Sequence, residues 1–267
     1  MKIFTWKMKD KGAHSTSIIT IVSALVLLLV WYAAAKFINL PIILPTPVEA
    51  VKILISYIRT EAFWQAVGAT SIRALRSFLI TLTVGTAAGL AAGWLPWVRA
   101  ALSPLITVVR TIPVMSVILL AFIWFSSGTV PVFAAFLMSF PILFENVFTG
   151  VVQTDKKLLE MGQIYRLSTS QQLYHITIPS LLPYLIAGAR GTIGMTWKVV
   201  IAAEVLTVPR KGIGSGMQFS QINLETGEVM AWTVAAILLS AASQGIFKLI
   251  LAIIRKKRVS ERAAGAK

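Results

Sequence analysis

The chain has 267 residues, of which 57% are hydrophobic and only 13% charged, against roughly 25% charged in an ordinary soluble domain. With a mean hydropathy of +0.79, it is excluded as a soluble enzyme and reads as an all-α integral membrane protein of about six spans, which use about 120 residues at ~20 per crossing. The net charge of +15 is concentrated outside the longest apolar runs, as in an inner-membrane protein rather than a nucleic-acid binder; no cysteine and two distant histidines argue against disulfides, thiolate chemistry and a metal site.

A basic segment, 1–16, carries Lys2, Lys7, Lys9 and Lys11 and places the N-terminus in the cytoplasm. The first span, 17–38, ends near a small-residue run, Ala33 to Ala35; it is longer than a signal-peptide core, so an uncleaved anchor is favoured over a cleaved leader. The external segment 39–77 opens with Pro41, Pro45 and Pro47, which interrupt any helix, and continues as an amphipathic stretch with Val51, Ile55 and Ile58 on one face, expected to lie along the outer surface.

The core, 78–254, begins with a span from Phe78 to Leu95. Its Gly85, Gly89 and Gly93 form a ladder that permits close helix approach, read as packing inside one subunit in preference to a dimer seam. A third span, about Leu102 to Phe125, is interrupted near Pro113, and a fourth, about Val130 to Val151, contains Pro141. Both prolines suit either pathway kinks or packing kinks.

The longest polar stretch between spans, 152–180, follows. Counting crossings from an inside start puts it in the cytoplasm. Leu158, Leu159, Met161, Ile164 and Tyr165 fall at helical spacings, Ser168 or Ser170 can cap a second short helix, and Pro179 is expected to stop it. An amphipathic helix there suits a groove on a partner protein or the headgroup surface of the membrane. A fifth span, about Leu181 to Leu206, leads into an external loop with Pro209, Gly212, Gly214 and Gly216. A sixth runs from about Met230 to Ile253, and the basic tail 255–267 returns inside. Tryptophans such as Trp31, Trp64, Trp124 and Trp232 are expected at the interfaces.

The polar stretch resembles the EAA loop of binding-protein-dependent ABC-importer permeases, written EAA, three residues, Gly, nine residues, Ile, any residue, Leu-Pro. Glu160, Ile176 and Pro179 coincide with that pattern; Met161 and Gly162 stand for the two alanines, Ile178 for leucine, and Arg166 for the turn glycine. LPTPVEAV, RTIPVMSVILLAFIWF, TWKVVIAAEVL and GIGSGM, in this order, are similar to the subfamily importing nitrate, sulfonates such as taurine and related small organic compounds.

The resemblance implies a homodimer forming the pathway, an extracytoplasmic solute-binding protein, and a cytoplasmic ATPase dimer that holds ATP and Mg and grips the loop through Glu160, Met161, Gly162, Ile164, Tyr165, Arg166, Ser168, Ile176, Ile178 and Pro179. No GxxxxGK[ST] phosphate loop occurs in this chain, so no cofactor of its own is expected.

Arg110, Glu145, Arg190, Lys198 and Glu204 lie in or near spans, where an unpaired charge is costly. They line a pathway, pair between helices, or reach an interface. Snorkelling or pairing is favoured for Arg190, while Arg110 with Pro113 and Glu204 are the candidates for the pathway or a gate. A self-powered carrier or channel and a membrane-embedded enzyme are the competing classes; the latter lacks a convergent acid–base or metal constellation.

Overall fold

The computed structural model describes residues 13–264, so the basic ends 1–12 and 265–267 lie outside the described residues. Every regular element among the described residues is helical. The first helix, α1 (Ala13–Ile38), has 26 residues and is exposed over most of 19–38 within the single chain. The Trp31 indole donates to the Pro45 carbonyl at 3.1 Å, tying it to the start of α2 (Pro47–Ile58).

Thr46 and Glu49 set the beginning of α2 through a reciprocal capping box, with Glu49 N–H donating to Thr46 Oγ1 and Thr46 N–H donating to the Glu49 carboxylate. Ala50 and Leu54 are buried, whereas Val51, Ile55 and Ile58 form an exposed apolar face.

Thr60 caps the next helix, α3 (Glu61–Trp94), which runs 34 residues without a break. The second span is therefore the inner part of a longer rod that begins 17 residues before Phe78. No proline falls between Thr60 and Pro96, so polar residues there lower hydropathy without ending the helix. Pro113 does end one: α4 (Pro96–Thr111) stops and α5 (Val114–Trp124) begins around it, because Pro113 has no N–H and disfavours helical backbone at Ile112; the two helices meet at 106°.

At the centre lies α6 (Val130–Val152), packed between α3 and α9 (Ile178–Thr207). Glycine makes both seams close. A Cβ at Gly85, Gly89 or Gly93 would lie 3.0, 2.7 and 2.5 Å from Leu143, Val147 and Val151 respectively. On the other side, Gly150 meets Leu181 and Gly188 meets Asn146. The ladder is thus occupied by α6 of the same chain.

The residues from 209 to 225, expected as a loop, contain a helix, α10 (Ile213–Ile222). Its glycines serve close approach: a Cβ at Gly214 would lie 2.5 Å from Glu204 Cβ, and one at Gly216 would lie 2.5 Å from the Trp232 ring. The last helix, α11 (Thr226–Ala264), follows. Trp232, expected at an interface, is instead buried, stacked on Phe63 at 5.4 Å and tilted against Tyr57 at 5.2 Å.

By length and composition, four described helices can cross a membrane, or five if α4 and α5 form one broken span. The helix α9 has 30 residues but carries Arg190, Lys198 and Glu204 and falls outside that apolar set.

Candidate functional site: an elbow joined to a charged helix

The polar stretch folds into two short helices, α7 (Lys156–Ile164) and α8 (Thr169–Gln172), set by side-chain caps. Asp155 accepts from Lys157 N–H at 2.9 Å, and Ser168 forms a capping box with Gln171. Between them the chain turns through Arg166, whose φ of 50° places it in the left-handed region. Arg166 N–H donates to Gln163 O and Leu167 N–H to Gly162 O, both at 2.9 Å. That pair of bonds is a Schellman termination with Arg166 at the position glycine usually occupies, so the turn stands despite the arginine and holds its backbone in a costly conformation.

Gly162 is buried at the inside of the elbow, where a Cβ would lie 3.1 Å from the end of Ile176 and 3.3 Å from Gln172. Ile176 is buried as well. The outer side is different: Ile164 is 79% exposed, Tyr165 73% and Tyr174 69%, with Met161 and Ile178 also exposed. Glu160 and Arg166 are exposed, and among the described residues neither side chain enters an ion pair.

Pro179 does not stop the helix. Leu173–Thr177 form a π turn, and the chain continues directly into α9 with Pro179 in its first turn. Proline at that place has no N–H to offer and its ring crowds the carbonyl four residues back; the wider π turn supplies the room. The second half of the elbow, α8, and the helix that follows are consequently one continuous element.

At the far end of that element, Glu204 is fully buried. Arg73 donates to it at 2.6 Å, Thr70 at 2.8 Å and Gly214 N–H at 3.0 Å. Arg73 also donates to Lys211 O at 2.8 Å, and Thr70 Oγ1 accepts from Ile213 N–H at 2.9 Å. The cluster therefore fastens α3, α9 and the start of α10 together, and Glu204 faces protein groups on every side.

Arg110 and Glu145 belong to a second cluster. Glu145 accepts from Arg99 at 2.8 Å and lies 3.7 Å from Arg110. Arg99 also covers the Phe148 ring at 4.2 Å, a cation–π contact. Arg110, beside the break at Pro113, keeps half its side chain exposed. Arg73 and Arg99 are the functional neighbours that sequence reading missed; each is far along the chain from its carboxylate, and the only signal was that a charge at membrane depth requires a partner.

A frame of four or five apolar helices, an elbow outside the bundle and the charged helix it feeds define a membrane transport subunit. Residues 82–259 match the family model described as binding-protein-dependent transport system inner membrane component. The chain belongs to that family. It is 28% identical over 213 residues to the taurine transport system permease protein TauC of Escherichia coli (strain K12), covering 77% of each chain. It is also 28% identical over 186 residues to the putative aliphatic sulfonates transport permease protein SsuC of Bacillus subtilis (strain 168), covering 68% of this chain and 67% of the relative. Over 154 residues it is 30% identical to the bicarbonate transport system permease protein CmpB of Synechococcus elongatus (strain ATCC 33912 / PCC 7942 / FACHB-805), covering 57% and 55%. It is a permease component of the ABC-importer type, a transporter subunit and not itself a catalytic enzyme.

Proposed function

We propose that two copies of this chain form the pathway of an ATP-driven importer for a small sulfonate such as taurine, nitrate or a related small compound, delivered by an external binding protein. The relatives named for taurine, aliphatic sulfonates and bicarbonate support that substrate range. In this reading both termini and the elbow are cytoplasmic, and ATP and Mg are held by a separate ATPase dimer.

The observation that carries the coupling role is the outward apolar face of the elbow. Ile164 and Tyr165 are exposed at the tip of a helix whose inner side is fixed by Gly162 and Ile176. An apolar face presented this way suits insertion into a groove of a partner. Because Gly162 of α7 lies against Ile176 of the π turn, and that turn joins α8 to α9 without a loop, a displacement of the tip passes through this contact into α9.

The test is copurification. Ile164→Asp and Tyr165→Asp should leave membrane insertion and thermal stability near wild type while removing most of the bound ATPase and of ATP-driven uptake in proteoliposomes. Undiminished ATPase recovery and uptake in both variants would overturn the coupling role, and uptake by the chain alone would establish the self-powered carrier instead.

A further inference from the structure

The α9 helix carries two cations that nothing in the described chain neutralises. At 100° per residue, Ala187, Arg190, Gly191, Gly194 and Lys198 share one face about 100° wide. Ala187, Arg190, Gly191 and Lys198 are exposed, and a Cβ at Gly194 would meet nothing within 4 Å. The opposite face, with Ala189, Thr192, Thr196 and Ala203, is buried against the bundle.

Neither Arg190 nor Lys198 makes an ion pair or side-chain hydrogen bond among the described residues, because Glu145 is committed to Arg99 and Arg110 and Glu204 to Arg73. Arg190 lies about 18 Å along the helix from Ile178, and Lys198 about 12 Å further. A face with two unpaired charges at that depth is poorly suited to lipid, and α9 falls outside the set of helices apolar enough to be covered by it.

We propose that this face lines the water-filled pathway and is a two-station site for a small anion. Arg190 and Lys198 supply the charge, and the small residues between them leave room for a head group of sulfonate or carboxylate size. Two stations about 12 Å apart attract an anion into the membrane without holding it at a single deep site, the balance that permeation requires. The inference deepens the permease reading and rests on it for the direction of transport, but the site itself is tested without transport.

The chain contains no cysteine, so single cysteines introduced at Ala187, Gly191 and Gly194 report their own surroundings in the assembled complex, with Ala189→Cys as the buried control. The probes are 2-sulfonatoethyl methanethiosulfonate, an anion, and its trimethylammonium analogue, a cation. All three positions should react from water, with the anionic reagent favoured over the cationic one by about tenfold after correction for their rates with free thiol. The preference should vanish with Lys198→Met and Arg190→Met together and survive Lys198→Arg.

Equal corrected rates, or no reaction at these positions in any nucleotide state, would overturn the site and assign the face to lipid or to contact with a second copy. Anion-preferring labelling in a complex incapable of ATP-driven uptake would overturn the permease reading and leave the site standing.

Discussion

Removing either member of the Arg73–Glu204 pair should cost far more than removing both. Glu204 is fully buried and the Arg73 side chain is 14% exposed, so Glu204→Leu leaves a guanidinium largely out of water with its short 2.6 Å contact gone. Losses of about 3–5 kcal/mol are typical when one partner of a buried pair is removed, and the same is expected of Arg73→Met, which strands the carboxylate. In the double variant the stranded charge disappears and what remains are the two donors that Glu204→Leu alone also orphans, Thr70 Oγ1–H and Gly214 N–H, which donate to Glu204 at 2.8 and 3.0 Å; an orphaned buried donor costs about 1–3 kcal/mol. The double variant should therefore be more stable than either single one, and Glu204→Gln, which keeps an acceptor near Gly214, should fall between wild type and Glu204→Leu. Equilibrium unfolding in mixed micelles measures these differences, with tryptophan fluorescence as the signal, since Trp232 lies against Gly216 of the helix that the cluster fastens. Losses that simply add in the double variant would refute the pairing.

The glycine seam gives a graded series on one helix. Gly93→Ala and Gly89→Ala place a methyl within 2.7 Å of Val151 or Val147 and should each destabilise by about 1–3 kcal/mol through overpacking, while Gly68→Ala, where a Cβ meets nothing within 4 Å, should be neutral or stabilise by up to about 1 kcal/mol; thermal unfolding in one detergent compares all three. Arg166→Gly should relieve the left-handed strain at φ 50° by about 1 kcal/mol, seen as slower hydrogen exchange at the Leu167 amide that closes the turn. That variant should also retain the partner ATPase, in contrast to Ile164→Asp.

What the sequence reveals about this fold follows how local each cause is. The apolar runs that become α6 and α11 need only lipid-like composition, and the break at Pro113 needs only proline chemistry, so both are readable along the chain. The 106° angle at that break depends on what α4 and α5 pack against and is not. The polar first half of α3 hides from hydropathy because Gln65, Thr70, Ser71, Arg73 and Arg76 lower it, yet it is helical through its Thr60 cap and the absence of a breaker. In α10 the error runs the other way. Glycine at 212, 214 and 216 reads as loop because of its low helix propensity, but its cause is the nearness of Glu204 and Trp232, a tertiary fact. Arg166 shows both levels at once: its alignment to a turn glycine is visible in the residues, and only the structure shows that the turn persists with arginine in it.

The placement of charge along α9 bears directly on how an elbow at one end can govern access at the other. The helix is about 45 Å long at 1.5 Å per residue, so a tilt of about 5° imposed at its base carries the far end through about 4 Å. That shift exceeds the tolerance of a hydrogen bond and is enough to separate Glu204 from Arg73, whose contact is 2.6 Å. Close packing of α6 against Gly188, where a Cβ would already be 2.8 Å from Asn146, makes bending of the middle costly and favours motion of the helix as one body. On the proposed reading, the elbow, the cationic face and the Glu204 cluster are three stations on a single lever: force enters at Ile164 and Tyr165, the anion meets Arg190 and Lys198, and the outer fastening yields last. The joint between tip and pathway is then the turn at Arg166, bridged by the contact of Gly162 with Ile176, and the π turn at Leu173–Thr177 acquires a mechanical reason, since it carries the helix past Pro179 without a second loop that would absorb the stroke.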